Sequence, residues 1–250
     1  MPFFEAIGKW FSDFGQLFYK DFIKDDNWRS LLVGLGNTML LSLFAVLIGL
    51  LLGVVIAILR STYDKNREVW ALSKGVKYYV FLVLNAICRL YVTVIRGIPM
   101  VVQLFLMYLI ILVKVPDALL VAIIAFGINS GAYVAEIVRG GIMSMDQGQF
   151  EAGRSLGFNY VQTMIYIIIP QVFKSVLPTL CSEFIVLIKE TSIAGYIGIV
   201  DLNKAGESIR NSTYDVFLPL IFVALIYLGI VTLLTWLVGK LERSLRKNER

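Results

Sequence analysis

Histidine is absent from all 250 residues. That excludes imidazole metal sites and histidine proton relays. Cysteine is nearly absent. Cys88 and Cys181 each sit in an apolar segment, where they read as small buried hydrophobes, and no disulfide is expected. The chain has no glycine-rich phosphate loop leading into Lys-Ser or Lys-Thr, no metal-ligand spacing and no nucleophile constellation. No catalytic residue, metal or bound cofactor is therefore expected. Charge is scarce as well, at 16% of residues with a net +5. Cytoplasmic loops of a membrane protein account for that excess, so no nucleic-acid partner is inferred.

What fills the chain is apolar surface, 58% of residues. A soluble domain of this length has no reason to reach that value, so the solvent is a lipid bilayer. A helix needs about 20 apolar residues to cross roughly 30 Å of hydrocarbon. Residues 1–30 alternate aromatic and charged side chains at helical spacing and suggest an amphipathic helix at the interface. This segment is polar, and the first apolar run is too long for a signal core, so no cleavable signal is expected. The uncharged run 31–59 is the first span, long enough to tilt or protrude. A polar linker, 60–77, follows. The apolar region 78–113 is too long for one span and breaks at Arg96-Gly97-Ile98-Pro99, with a new helix expected to begin near Pro99. Further spans are expected over 115–138, 160–188 (bent at Pro170 and Pro178) and 216–239. The fold class is an all-α integral membrane protein with five transmembrane helices.

Five crossings put the termini on opposite faces. Segments 60–77, 139–163 and 240–250 hold 12 Lys and Arg and 6 acids, whereas 1–30, 114–117 and 189–215 hold 8 and 10. The positive-inside rule then puts the N-terminus outside and the C-terminus in the cytoplasm.

That orientation turns the polar loop at about 143–160 toward the cytoplasm. Ser144 with Gln147, or Asp146 with Gln149, can open a short helix there, and Gly157 suits the left-handed position just past its end. Asn159 with Gln162 starts the next helix. The turn offers Phe150, Leu156 and Phe158 beside Glu151 and Arg154, an apolar knob ringed by charge that suits docking. The alternative is an ordinary amphipathic loop lying on the membrane surface.

The run Glu151-Ala152-Gly153, three residues, Gly157, nine residues, Ile167-Ile168-Ile169-Pro170 resembles the "EAA" loop of ABC-importer membrane subunits, with Gly153 in place of the second Ala and Ile169 in place of Leu. Further motifs lie on both sides of the loop. Residues 96–105 (RGIPMVVQLF), 129–142 (NSGAYVAEIVRGGI) and 189–192 (KETS) resemble, in order, three patterns of the polar amino-acid permeases of the histidine, glutamine and arginine type, with Ile98 replacing the usual Thr. The resemblance covers roughly 31–243. It implies the type I ABC-importer permease fold, flanked by the N-terminal segment 1–30 and a basic cytoplasmic tail, 244–250. It also implies two permease subunits, identical or homologous, around a pathway for an amino-acid substrate, with two cytoplasmic ATPase subunits and an external amino-acid-binding protein. The ATPase-coupling residues would be Phe150, Glu151, Ala152, Gly153, Arg154, Leu156, Gly157 and Pro170.

Polar groups at membrane depth are the candidates for the substrate pathway, because burying them in lipid is costly. Arg96, beside a helix break, suits a carboxylate, or else it snorkels to headgroups. Gln103 can bind a ligand or a neighbouring helix. Asn129 and Ser130 can line the pathway or permit close packing. Glu136 pairs with Arg139 or serves as a gate. Glu183 needs a partner, either a chain cation (Lys174 or Arg89) or a cationic ligand. Lys189 and Thr191 are solvated or form an outer gate. Glu136 and Glu183 also leave open a transporter or channel run on an ion gradient. A non-transporting scaffold fits the composition but not the ordered motifs.

Overall fold

In hydrocarbon no water is present to satisfy backbone N–H and C=O groups, so each apolar run closes its hydrogen bonds within itself as a helix. The computed structural model describes residues 13–73 and 75–247. Among these, five helices are long and apolar enough to cross a membrane, as expected. Residues 1–12 of the amphipathic segment and 248–250 of the basic tail lie outside the described residues.

The first helix, α1 (Asn27–Ser73), spans 47 residues, about 70 Å at 1.5 Å per residue. It corrects the expected linker at 60–77: the helix continues into it as far as Ser73. Between Gly53 and Gly75 the sequence offers no Gly or Pro to stop it. The charged side chains also find partners on a neighbouring helix. Only at Gly75, the N-cap of α2 (Val76–Gly97), does the chain turn. Helix α3 (Met100–Leu106) starts immediately after Pro99, where the sequence put a new helix, and ends in a wide turn, Met107–Ile111.

Asp117 accepts a hydrogen bond from the Leu119 amide and so caps α4 (Ala118–Met143), the most enclosed helix of the bundle. Short α5 (Gln147–Ser155) precedes a one-turn helix, α6 (Tyr160–Thr163), a wide turn (Met164–Ile168) and α7 (Ile169–Glu190). A tight 3-10 segment, Thr191–Ile197, leads to α8 (Leu202–Thr213), capped by Asp201, and α9 (Phe217–Lys247) closes the bundle.

Helices α1 and α4 form the axis. A Cβ on Gly49 would lie 2.6 Å from Ser130 Oγ, and one on Gly53 would lie 2.6 Å from Val134 Cβ. Glycine is what lets the two backbones come this close. Around this seam one apolar cluster gathers Leu41, Leu104, Phe126 and Leu187. Another, toward α5, gathers Ala57, Val134, Ile142, Phe150 and Ile168. In the N-terminal segment the wide turn Tyr19–Ile23 buries Phe22 against Phe222, with ring centroids 4.6 Å apart, and Lys20 Nζ donates to the Thr213 carbonyl at 3.1 Å. This part of the segment is packed against α8 and α9.

Candidate functional site

Short helix α5 is shaped at both ends by its own sequence. The Asp146 carboxylate accepts from the Gly148 amide at 2.6 Å. At the other end Gly157 takes φ +81°, its N–H bonds the Arg154 carbonyl at 2.9 Å, and the Phe158 N–H bonds the Gly153 carbonyl at 3.0 Å. This is the paired closure that a left-handed glycine permits. Asn159 and Gln162 then exchange reciprocal 2.9 Å bonds and start α6. Pro170 sits in the first turn of α7, where its missing N–H costs least.

One face of α5 points into the bundle. Phe150 is 6% exposed and packs in the cluster with Ala57 and Ile142. Gly153 meets Thr163, whose Oγ1 would lie 2.6 Å from any Cβ placed there. The Gly at this position thus has a local cause: α6 is too close for an alanine without movement. Glu151, Ala152, Arg154 and Leu156 face away, with Leu156 70% exposed. Phe150 therefore does not belong to the protruding surface the sequence suggested. Its ring is drawn inward by the apolar cluster and capped by the Lys65 ammonium, 4.6 Å from the centroid.

Beside α5 four charges are locked together. Arg60 of α1 donates to Glu136 of α4. Arg139 bonds Asp64 at 3.1 Å and Glu136 at 3.3 Å. Their side chains are only 12–27% exposed. Glu136, one of the pathway candidates, is thus engaged by two guanidiniums. Arg60 and Asp64 were missed because they were assigned to a linker. Their four-residue spacing, matched by Glu136 and Arg139 three apart, was the available signal.

Nearer the middle of the bundle the break before α3 has its own internal solution. Pro99 has no N–H for the Ile95 carbonyl, four residues back. Gln103 Nε2 takes that carbonyl at 2.6 Å and the Ile98 carbonyl at 2.7 Å, while its Oε1 accepts from Asn129 Nδ2 at 3.3 Å. Gln103 and Asn129 thus hold the break together, which is the structural one of the two roles read for each in the sequence. Ser130 is fully buried against Gly49, and Thr191 donates to the Ile188 carbonyl at 2.8 Å, so both serve the packing of the chain. Arg96 is exposed, its guanidinium 5.1 Å from the Tyr133 ring centroid. Glu183 is half-buried within electrostatic reach of Arg96 and Glu190, and Lys189 is exposed. Tyr133 was overlooked in the sequence, although it lies within the 129–142 motif.

Among the described residues the structure is an all-helical bundle with five spans and a capped short helix between two of them. The chain belongs to the family described as "Binding-protein-dependent transport system inner membrane component", which matches residues 69–247, and within it to the polar amino-acid ABC transporter permeases. It is 34% identical over 227 residues to the arginine transport system permease protein ArtQ of Bacillus subtilis, covering 88% of this chain and 94% of that one. It is 35% identical to the probable glutamine ABC transporter permease protein GlnM of the same organism, covering 89% and 96%. Among solved structures, an amino acid ABC transporter crystallised with histidines matches with a TM-score of 0.74 at 37% identity, covering 86% and 94%. An inward-facing MetNI methionine ABC transporter shares the fold, with a TM-score of 0.73 at 19% identity, covering 89% and 98%.

Proposed function

We propose that this chain is the transmembrane subunit of an ATP-driven importer of polar amino acids, coupled to a separate ATPase through α5. The observation that carries the reading is the two-sided character of α5. Phe150 and Gly153 anchor it to the bundle, and Glu151, Ala152, Arg154 and Leu156 are presented outward. Two such subunits, identical or homologous, surround the pathway. Two cytoplasmic ATPase subunits carry ATP and Mg, and an external binding protein delivers the amino acid. The excess of Lys and Arg in 60–77, 139–163 and the tail supports a cytoplasmic C-terminus, a cytoplasmic α5 and an external N-terminus.

In this reading ATP binding draws the two ATPases together, α5 moves with them, and the spans rock from inward-open to outward-open. Hydrolysis resets the cycle. Of the pathway candidates, Arg96, Glu183 and Lys189 are the charges without an ion pair among the described residues, and they meet a zwitterionic substrate, with Arg96 facing its carboxylate. An ion-gradient mechanism rested on Glu136 and Glu183. With Glu136 held by two arginines, Glu183 alone supports it.

Gly157→Val tests the coupling. A β-branched residue at φ +81° is strained by roughly 1–2 kcal/mol and deforms the end of α5. The assembled transporter is expected to go on hydrolysing ATP while uptake into vesicles collapses. Normal uptake by this variant would sink the proposal.

A further inference from the structure

The coupling helix does not stand on α4 alone. Lys65 of α1 reaches it twice, over the Phe150 ring at 4.6 Å and to Gln147 Oε1 at 3.4 Å. One residue earlier, Asp64 is bound to Arg139 of α4, and one turn earlier Arg60 is bound to Glu136. Ala57, a further turn back, is buried among Val134, Val138 and Phe150. Residues 57, 60, 64 and 65 therefore form one stripe of α1, since they recur at helical spacing. Each contacts either α4 or α5. Arg60, Asp64 and Lys65 of this stripe lie in the part of α1 that extends past the uncharged run.

We propose that this extension of α1 is a strut, with Arg60, Asp64 and Lys65 as positioning residues that lock α1, α4 and α5 into one rigid lever. The proposal rests on the coupling role of α5. Without the strut, a push on α5 would be absorbed where Ser144 and Met145 join it to α4. With it, the same push reaches α1 and α4 together, and these two helices are the closely packed axis of the bundle. The four charges alternate in sign around the contact, and little of their surface is exposed. Separating the helices would strand unpaired charges, so the contact behaves as intact or broken with little between. A lever needs that property.

The test uses the complete transporter, with its ATPase and binding protein, reconstituted in vesicles, and reads substrate imported per ATP hydrolysed. Asp64→Asn removes one corner of the quartet. It is expected to lower that ratio by roughly tenfold, within the range that single residues of a coupling network reach. ATP hydrolysis itself should stay near wild type. Inverting all four charges together (Arg60→Glu, Asp64→Arg, Glu136→Arg and Arg139→Glu) keeps the alternation and is expected to restore most of the ratio. A purely local stabilising role would lower the amount of assembled complex and leave the ratio untouched, and that result overturns the strut. If Asp64→Asn fails to assemble, Lys65→Met is judged by the same criterion, because it removes only the two contacts to α5. Gly157→Val run alongside separates the two ideas. Loss of coupling there with an unchanged ratio in Asp64→Asn overturns the strut alone, and unchanged ratios in both overturn the coupling reading with it.

Discussion

Two groups of charged residues lie within the spans, and they are treated in opposite ways. Near α5, Arg60, Asp64, Glu136 and Arg139 satisfy one another. Elsewhere, Arg96, Glu183 and Lys189 make no ion pair among the described residues, and Arg96 rests on the face of Tyr133. Charge withdrawn from water is costly unless paired, so an unpaired set persists only where water, a ligand or a second subunit reaches it. The closed set makes structure. The open set holds the charges that the proposed function assigns to the substrate.

The sharpest way to break that contrast is to substitute one member of each set and compare stability with transport. Glu136→Gln removes the carboxylate that two guanidiniums share. A loss of about 2–3 kcal/mol is expected, below the range for fully buried pairs because the quartet keeps some exposure. Thermal unfolding of the purified complex should show it as a clear drop in Tm. Arg96→Gln should leave the Tm where it was and instead raise the KM for uptake by about tenfold, the equivalent of roughly 1.4 kcal/mol of lost carboxylate attraction. Were Arg96→Gln to unfold the protein while Glu136→Gln only changed KM, the two sets would have been assigned the wrong way round.

The same contrast explains what could be read in the sequence. Uncharged runs and cap residues act locally, so the spans, the Asn159–Gln162 capping box, the left-handed Gly157 and the helix start after Pro99 were all legible. Partnerships across helices were not. The four-residue spacing of Arg60 and Asp64 marks one face of a helix, but it does not name Glu136 and Arg139 as the partners, and a charged stretch outside an apolar run reads as a linker. Gln103 and Asn129 are 26 residues apart, and only the fold turns them toward each other around the carbonyl that Pro99 leaves open. Phe150 failed for a related reason: on a short polar helix a lone aromatic side chain gives no sign of which face is covered.

The smallest expected effect tests how far the contrast extends, to charges outside the spans. Asp21 is fully buried in the turn Tyr19–Ile23. Burial, with Asp215 facing it, holds its carboxyl above the ordinary range, while Lys20 and Thr213 pull weakly the other way. A raised folded pKa means that the protonated form suits the packed state. Its contribution is complete below the ordinary carboxylate range and is lost as pH rises through the raised value. The contact of this turn with α8 and α9 should therefore loosen from acidic toward neutral pH. Hydrogen exchange at the amides of Tyr19–Ile23 is expected to quicken a few-fold beyond the intrinsic pH dependence. Asp21→Asn, which keeps the shape and removes the ionisation, should abolish that extra change, whereas Glu207→Gln should not alter it. Glu207 is held below its ordinary range by the bonded Lys204, and that pairing places it with the closed set. Exchange that follows only the intrinsic rate in the unaltered protein would show that Asp21 and Asp215 are kept apart by water, and the turn would then join the parts of the chain whose charges are open.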